Sequence, residues 1–206
     1  MSRGPVRNGC APPSWSLKET SLVQTSRSTF ESADTVNRVV ALLVRFPEIH
    51  SIRSNPADGT VMLSYAVSTR LERTAVRAFG DLLSDHVAAF LELRGEDVEK
   101  IGVTSEHDTA VTFINVTRDF ASFSREELEL QIAVFAERFG ATLVRNPLPD
   151  EALDEDAAAR DESVEAALDA LRDTAGRKRL VGFREEKRVL VYFVHSGKTA
   201  KARARS

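Results

Sequence analysis

The side chains that most often perform acid–base or metal chemistry are sparse in this chain of 206 residues, which has four histidines and one cysteine. His50 is near Arg53 in an extended segment, and His86 falls at the edge of an apolar helical stripe. His107 precedes an aspartate in a turn, and His195 follows the last apolar run. A catalytic or metal site needs several such groups to converge. Their sequence positions show no convergence, and each is typical of a rim or turn histidine.

The sequence also lacks the motifs that mark common active sites. Its glycines are single and scattered, so there is no phosphate-binding loop, and there is neither a nucleophile elbow nor a His-x-x-x-His pair. Cys10 is the only cysteine, which excludes an intramolecular disulfide and a cysteine-based metal site. We therefore assign no catalytic residue, no metal ligand and no cofactor. An enzyme or small-ligand binder with a site assembled from scattered polar residues stays an alternative.

Four polar residues near the predicted strand ends are candidates for such a scattered site: Arg53, Asn115, Arg118 and Asp119. If they converged, they would hold a small anion, because guanidinium and amide groups donate hydrogen bonds to anions. Ordinary solvation of strand ends is the simpler interpretation.

Aromatic side chains in the predicted strands, Tyr65, Phe113, Tyr192 and Phe193, are candidates for stacking on bases, as in RNA-binding sheets. The segment 188–195 has a basic start and a Tyr-Phe pair but lacks the glycine of the RNA-binding octamer. Because these aromatics alternate with other apolar residues, burial in a core is the favoured interpretation.

Acidic and basic residues are concentrated in different parts of the chain. The net charge is −3, yet residues 177–206 contain ten Lys or Arg and only two Glu. Such a basic end can neutralise phosphates without regard to sequence, so weak and non-specific nucleic-acid contact is an alternative function. A solubilising tail, or one that pairs with the acidic stretch 150–162, explains the same charges. The candidate contacts are Arg177, Lys178, Arg179, Lys187, Arg188, Lys198, Lys201, Arg203 and Arg205.

Composition is that of a soluble globular protein, with 42% hydrophobic and 29% charged residues. No apolar run approaches the roughly 20 residues that span a bilayer, so we expect no membrane insertion. The first 30 residues lack the apolar stretch of a secretory signal peptide. With a single cysteine, the chain fits a reducing compartment, and we expect a cytoplasmic location.

Hydrophobic periodicity predicts a repeated pattern of a helix followed by a β-hairpin. Residues 49–67 read as two strands around Asn-Pro-Ala-Asp-Gly, and similar hairpins are predicted at 98–117 and 178–194. Helices are predicted at 32–46, 70–94, 124–139 and 161–175, with a capping box formed by Ser124 and Glu127. Short strands are predicted at 21–25 and 141–144. The expected core includes Val40, Leu43, Leu63, Phe79, Phe90, Phe113, Phe135, Leu171 and Val191.

This order predicts an α+β protein with a ferredoxin-like, split βαβ antiparallel sheet, helices on one face, and further helix–hairpin units that extend it. Residues 1–30 form an expected disordered segment and 31–149 the main domain. An acidic linker at 150–162 then leads to a helix–hairpin unit at 163–196, and a basic disordered tail follows at 197–206. The last predicted strand, 188–194, is apolar on both faces, which is typical of a central strand.

The helix, Pro-Glu-Ile, strand, turn and strand around 46–67 resemble the outline of heavy-metal-associated domains. That resemblance implies metal transfer through a Cys-x-x-Cys pair before the first helix. No such pair exists in this chain, so metal transfer is disfavoured.

With no chemical signature, the sequence favours a non-catalytic regulatory or protein-interaction protein inside the cell. A protein partner or self-association is expected. The two alternatives are the weak nucleic-acid contact of the basic end and a hidden enzymatic or small-ligand site.

Overall fold

The computed structural model describes residues 28–97, 100–146, 157–173, 179–185 and 188–194. In this part the helices are α1 (Ser28–Arg45), α2 (Arg73–Arg94), α3 (Arg125–Phe139) and α4 (Ala157–Asp173), with a short 3-10 helix at Gly140–Thr142. The strands are β1 (Ile49–Asn55), β2 (Thr60–Val67), β3 (Ile101–Asp108), β4 (Val111–Asp119), β5 (Arg179–Glu185) and β6 (Arg188–Val194). The three predicted helix–hairpin units are therefore present.

All six strands belong to one antiparallel sheet with the order β3-β4-β2-β1-β5-β6. The chain is thus α+β, and the third hairpin extends the main sheet through the pairing of β5 with β1. β2, α2 and β3 form a split βαβ unit, because β2 and β3 run parallel with β4 between them. In a ferredoxin-like arrangement the 21–25 strand would occupy the place that β4 takes. The ferredoxin-like assignment stays a prediction.

The helices cover one face of this sheet. Leu43 of α1 lies against Gly182 of β5, and Gly80 of α2 lies against Val103 of β3. Phe135 of α3 stacks on Tyr65 of β2 with ring centroids 3.8 Å apart. α4 packs beside α1. Because strand side chains alternate between faces, these contacts identify one face of the sheet as the core side.

Most of the expected core residues lie on this side. Leu43, Leu63, Phe79, Phe135 and Leu171 are buried, whereas Val40, Phe90 and Val191 are half-buried at its margin. Phe113 is a correction, because it is half-buried on the face opposite the helices. The apolar residues of β4 predict burial of Phe113, but it is the alternate residues, Ile114 and Val116, that point to the core.

Four local predictions also change. The second hairpin turns at Thr109–Ala110 rather than at 105–108, so β3 is longer than expected. Ser124 does cap α3 by accepting a hydrogen bond from the Glu127 amide, but the Glu127 carboxylate bonds elsewhere. α4 begins at Ala157, within the stretch predicted as a linker. The strand expected at 141–144 is a 3-10 turn with one isolated bridge from Leu143 to Val67.

The disordered segment predicted at 1–30 is wrong at its last three residues, since α1 begins at Ser28. Several other predictions fall outside the described residues: the rest of that segment, the 21–25 strand, the first part of the acidic linker and the tail at 197–206. None of the helices in the described ranges is long and apolar enough to cross a membrane.

Candidate functional site

The face of the sheet opposite the helices, called the uncovered face below, has no helix packed on it among the described residues. The strand register determines which side chains it carries. Arg53 of β1 pairs with Met62 of β2 on one side and with Val181 of β5 on the other. Val181 pairs in turn with Tyr192 of β6, so these four side chains form one row across the sheet.

A cleft of about 460 Å³ lies on this face around that row. It is lined by Arg53, Ser54, Asn55, Thr60, Met62, Thr117, Arg179, Val181, Tyr192 and Val194. The volume falls within the roughly 300–1,000 Å³ typical of ligand pockets. Its walls combine an apolar floor with two guanidinium groups and two threonine hydroxyls, which suits an occupant that is partly apolar and partly anionic.

The two arginines supply the charge of the cleft. Arg53 and Arg179 are both exposed, and neither forms an ion pair within the described part of the chain. Arg179 precedes Val181 by two residues and therefore points to the same face. Since no described residue pairs with them, their guanidinium donors suit an incoming carboxylate or phosphate.

The apolar part of the cleft is unusually accessible for residues of these types. Tyr192 is 48% exposed and Val194 is 37% exposed. The Tyr192 ring meets Phe183 edge-on, with centroids 6.1 Å apart, so its position is held while one side of the ring stays open. Burying these side chains against an occupant would add apolar area to any charge contact.

Asn55, at the end of β1, carries an unsatisfied acceptor in the cleft lining. Its side-chain nitrogen donates to Asp58, while its Oδ1 atom is buried without a hydrogen-bond partner among the described residues. Buried polar atoms are nearly always paired, so this acceptor is an exception in the lining of the cleft.

The half of the uncovered face nearer β3 is polar but internally satisfied. The Ser64 hydroxyl donates to the Asn115 side chain at 2.5 Å, and Asn115 donates to Glu106 at 3.4 Å.

His50 packs on Phe113 with centroids 4.9 Å apart. Burial, followed by the nearby charges of Arg184 and Arg53, lowers the pKa of His50 below its usual value. The imidazole is therefore neutral at pH 7.

The four strand-end residues predicted as an anion site do not converge. Arg118 points to the helix side, is fully buried and holds the Glu127 carboxylate with two hydrogen bonds of 2.6 and 2.9 Å. Asn115 points to the opposite face, while Arg53 lies in the cleft. Since its charge is already matched, Arg118 serves to join β4 to α3 rather than to bind an anion.

The Arg118 cluster is completed by Asp119 and Gln131. Arg118 also bonds Asp119, and the Gln131 amide donates to Glu127 at 2.8 Å and accepts from the Tyr65 hydroxyl at 3.3 Å. Burial opposes ionisation of Asp119, but hydrogen bonds from Ser122 and the Arg118 charge outweigh it and lower its pKa to about 2. Every member of the cluster has a partner, which is typical of structural cross-links.

A second buried arginine, Arg184 of β5, also has a structural role. Its guanidinium donates to the carbonyls of Phe46, Ile49 and Asn146 at 3.3, 3.1 and 2.9 Å. Burial lowers the pKa of Arg184. The three carbonyl oxygens offset the free-energy cost of burying its charge, because they accept hydrogen bonds from the guanidinium. The residue thus holds the α1–β1 connection against the segment after α3.

Only two of the basic residues predicted to contact nucleic acid lie among the described residues. Arg179 lies in the cleft, and Arg188 is exposed on β6, where it pairs with Glu185. The other candidates lie outside the described residues: Arg177, Lys178, Lys187, Lys198, Lys201, Arg203 and Arg205. Of the aromatic candidates, Tyr65 is a core residue, Phe193 points to the helix side, and Tyr192 alone of the four lines the cleft.

The remaining histidines do not form a site. His86 is exposed on α2 with its Nδ1 atom 2.8 Å from the Leu82 carbonyl, and His107 lies 3.1 Å from the Thr112 hydroxyl. His195 is outside the described residues. Within the described ranges, no group of three or more His, Cys, Asp or Glu side chains is placed to hold a metal ion.

Comparison with known proteins gives no relative from which a function could be transferred: no family model, no curated protein and no solved structure matches the chain. The cleft therefore has to be interpreted from its own chemistry.

Sequence reasoning named Arg53, Arg179 and Tyr192 but assigned them to three different roles. It missed Met62, whose only signal was its place in the alternating pattern of β2. These residues come from hairpins far apart in the chain, and only the pairing of β1 with β5 brings them together.

Proposed function

We propose that this chain is a non-catalytic binding protein that recognises a protein partner with the uncovered face of its sheet. The observation that carries the proposal is the cleft in which Arg53 and Arg179, which form no ion pair with another described residue, flank the exposed Tyr192 and Val194. The occupant with matching chemistry is a protein segment that carries carboxylates beside apolar side chains. A cytoplasmic site of action remains part of this proposal and rests on the single cysteine.

Peptide selection tests this directly. A random peptide library displayed on phage is selected against the immobilised chain, and the enriched peptides are synthesised for affinity measurement. We expect them to combine acidic and apolar residues. The variant R53E/R179E reverses both cleft charges on exposed side chains and should weaken binding about tenfold or more, since each charge-assisted hydrogen bond contributes about 1.5–3 kcal/mol.

The matched control is R77E/R138E, which makes the same change in net charge on exposed helix residues. It should leave the affinity unchanged. If no peptide is enriched, or if both variants bind the peptides equally, the uncovered face is not the recognition surface.

A second candidate function is single-stranded nucleic-acid binding, favoured by the open Tyr192 ring beside two arginines. Aromatic stacking contributes about 1–3 kcal/mol per base, so Tyr192→Ala should weaken binding by that amount. Counterion release predicts a log–log salt slope near −0.7 per neutralised phosphate.

Fluorescence anisotropy with single- and double-stranded oligonucleotides at two salt concentrations separates the two functions. Because the acidic body repels polyanions, we expect at most weak binding that disappears when residues 197–206 are deleted. Tight binding that survives high salt and this deletion would place the nucleic-acid function first.

A further inference from the structure

β6 combines the sequence of a central strand with the position of an edge strand. Residues 189–194, Val-Leu-Val-Tyr-Phe-Val, are apolar on both faces and contain no Pro, Gly or charge. Within the described chain, β6 pairs with β5 only. Natural sheets usually protect their edges with charges, prolines or bulges, since an unprotected edge pairs with another strand.

The opposite edge of the same sheet has that protection. β3 ends in Glu106, His107 and Asp108, all of which are exposed. The contrast shows that the apolar edge at β6 is not a general property of this sheet, and it indicates that β6 has a partner strand.

The helix layer beside β6 also ends in apolar side chains. Val36, Val40 and Val44 of α1 are each half-buried and recur every four residues. They lie on the side of α1 opposite Arg38, whose guanidinium donates to Ala166 of α4 at 3.3 Å. This valine stripe therefore faces away from the rest of the helix layer, on the same side of the molecule as the β6 edge.

We propose that β6 pairs antiparallel with β6 of a second copy of this chain, so that the two sheets form one continuous sheet of twelve strands. With the two-fold axis at Val191, Val189 lies opposite the second copy's Phe193 and Leu190 opposite its Tyr192. Aliphatic–aromatic pairs of this kind stabilise antiparallel strands. The valine stripes of the two α1 helices then flank the axis on the helix side.

The same register keeps like charges apart. Arg188 lies opposite the second copy's Val194 and not opposite another arginine. Arg188 of the second copy also arrives beside Val194 and adds a third guanidinium to each cleft.

The competing occupant within the chain is the predicted strand at 21–25. α1 runs antiparallel to β1, because only Phe46–Glu48 join them, so its first turn lies near the Val194 end of β6. With only residues 26 and 27 before α1, a 21–25 strand beside β6 would run parallel to β6 and β1.

That placement conflicts with the handedness of crossovers. Two crossovers have to be compared: one from such a strand through α1 to β1, and the other from β2 through α2 to β3. Both would pass over the helix-covered face and move across the sheet toward the β3 edge. The strands that they connect, however, run in opposite directions. The two crossovers would have opposite hands, whereas about 98% of such connections are right-handed. A second copy is therefore the favoured occupant.

The test is sedimentation equilibrium of the full chain under reducing conditions, which remove any Cys10 cross-link. We expect a particle of twice the 22.7 kDa chain mass. L190K/Y192K places lysines opposite lysines at the interface and should raise the dimer dissociation constant by about tenfold or more, because like charges directly opposite destabilise a strand pair. The matched variant L190E/Y192K loses the same apolar side chains but places glutamate opposite lysine, and it should dimerise more tightly than L190K/Y192K.

A monomeric wild-type chain overturns the proposal, as does a dimer that the two variants leave unchanged. If a variant fails to fold by circular dichroism, oxidative cross-linking decides instead. In a C10S background, V191C should form a disulfide-linked dimer, since directly opposite residues in antiparallel strands are about 4.5–5.5 Å apart. L93C, at a position 89% exposed on α2, should cross-link more slowly. Equal rates would refute the register.

The dimer and the proposed function can be tested separately. R53E/R179E lies outside β6 and should leave the dimer intact, while the β6 variants report on self-association without any peptide ligand.

Discussion

Replacing Phe135 with alanine tests which face of the sheet forms the core. Phe135 is fully buried, stacks on Tyr65 at 3.8 Å and meets Phe79 at 4.7 Å and Phe139 at 5.9 Å between centroids. Truncation removes a buried ring and leaves a cavity that α3 and β2 cannot close without moving. Phe→Ala changes of this kind cost about 3–5 kcal/mol. Domains of ordinary stability have about 5–15 kcal/mol in total, so the variant should be much less stable but still folded.

Phe113→Ala is the matched control, because it makes the same chemical change on the uncovered face. Phe113 is half-buried, has His50 as its ring neighbour and has no helix above it among the described residues. Its truncation should cost less, about 1–2 kcal/mol, since part of this residue is already in water and less apolar area is lost.

Urea denaturation followed by far-ultraviolet circular dichroism measures both losses, with unchanged m-values as the check that the two-state treatment holds. The reasoning fails if Phe113→Ala costs as much as Phe135→Ala, because the uncovered face would then be packed against something. A loss below about 1 kcal/mol for Phe135→Ala would show that α3 does not cover the sheet as described.

Three further outcomes follow from the same packing. Gly182→Ala should destabilise the protein by about 1–3 kcal/mol in urea, because its added methyl group would lie 2.9 Å from a Leu43 methyl carbon. His50 has a lowered pKa, so the wild type should lose stability as the pH falls below about 6.5, and His50→Gln should flatten that dependence in thermal melts between pH 5 and 7. Asp119, with a pKa of about 2, stabilises the fold above pH 4, and this contribution is lost as the pH falls toward 2. Asp119→Asn should therefore be less stable than the wild type at pH 7 but nearly equal to it near pH 2.

Periodicity in the sequence determined the elements of this protein. Each helix–hairpin unit shows the 3.6-residue pattern followed by alternation, and Gly95 and Ser124 mark helix ends through local backbone and capping preferences. These signals act within a few residues, so they could be read without the fold. Element boundaries were less certain, as the four-residue shift of the second turn shows.

The candidate site was only partly accessible from sequence. Arg179 and Tyr192 could be named from charge and residue type, but Met62 and Arg53 join them only through the pairing of β2, β1 and β5. A strand register that links residues more than 100 positions apart leaves no local trace. The same reason explains Arg118, which was read as a strand-end polar group and is instead buried against Glu127.

The sequence by itself thus determined the types of element, the lack of a known catalytic motif and the basic end of the chain, because each depends on residue identity or short-range spacing. Only the tertiary structure decided which face of each strand is buried. It also placed β6, whose composition is that of a central strand, at an edge. These outcomes depend on the order of strands in the sheet and on which face the described helices cover, and both involve residues far apart in the chain.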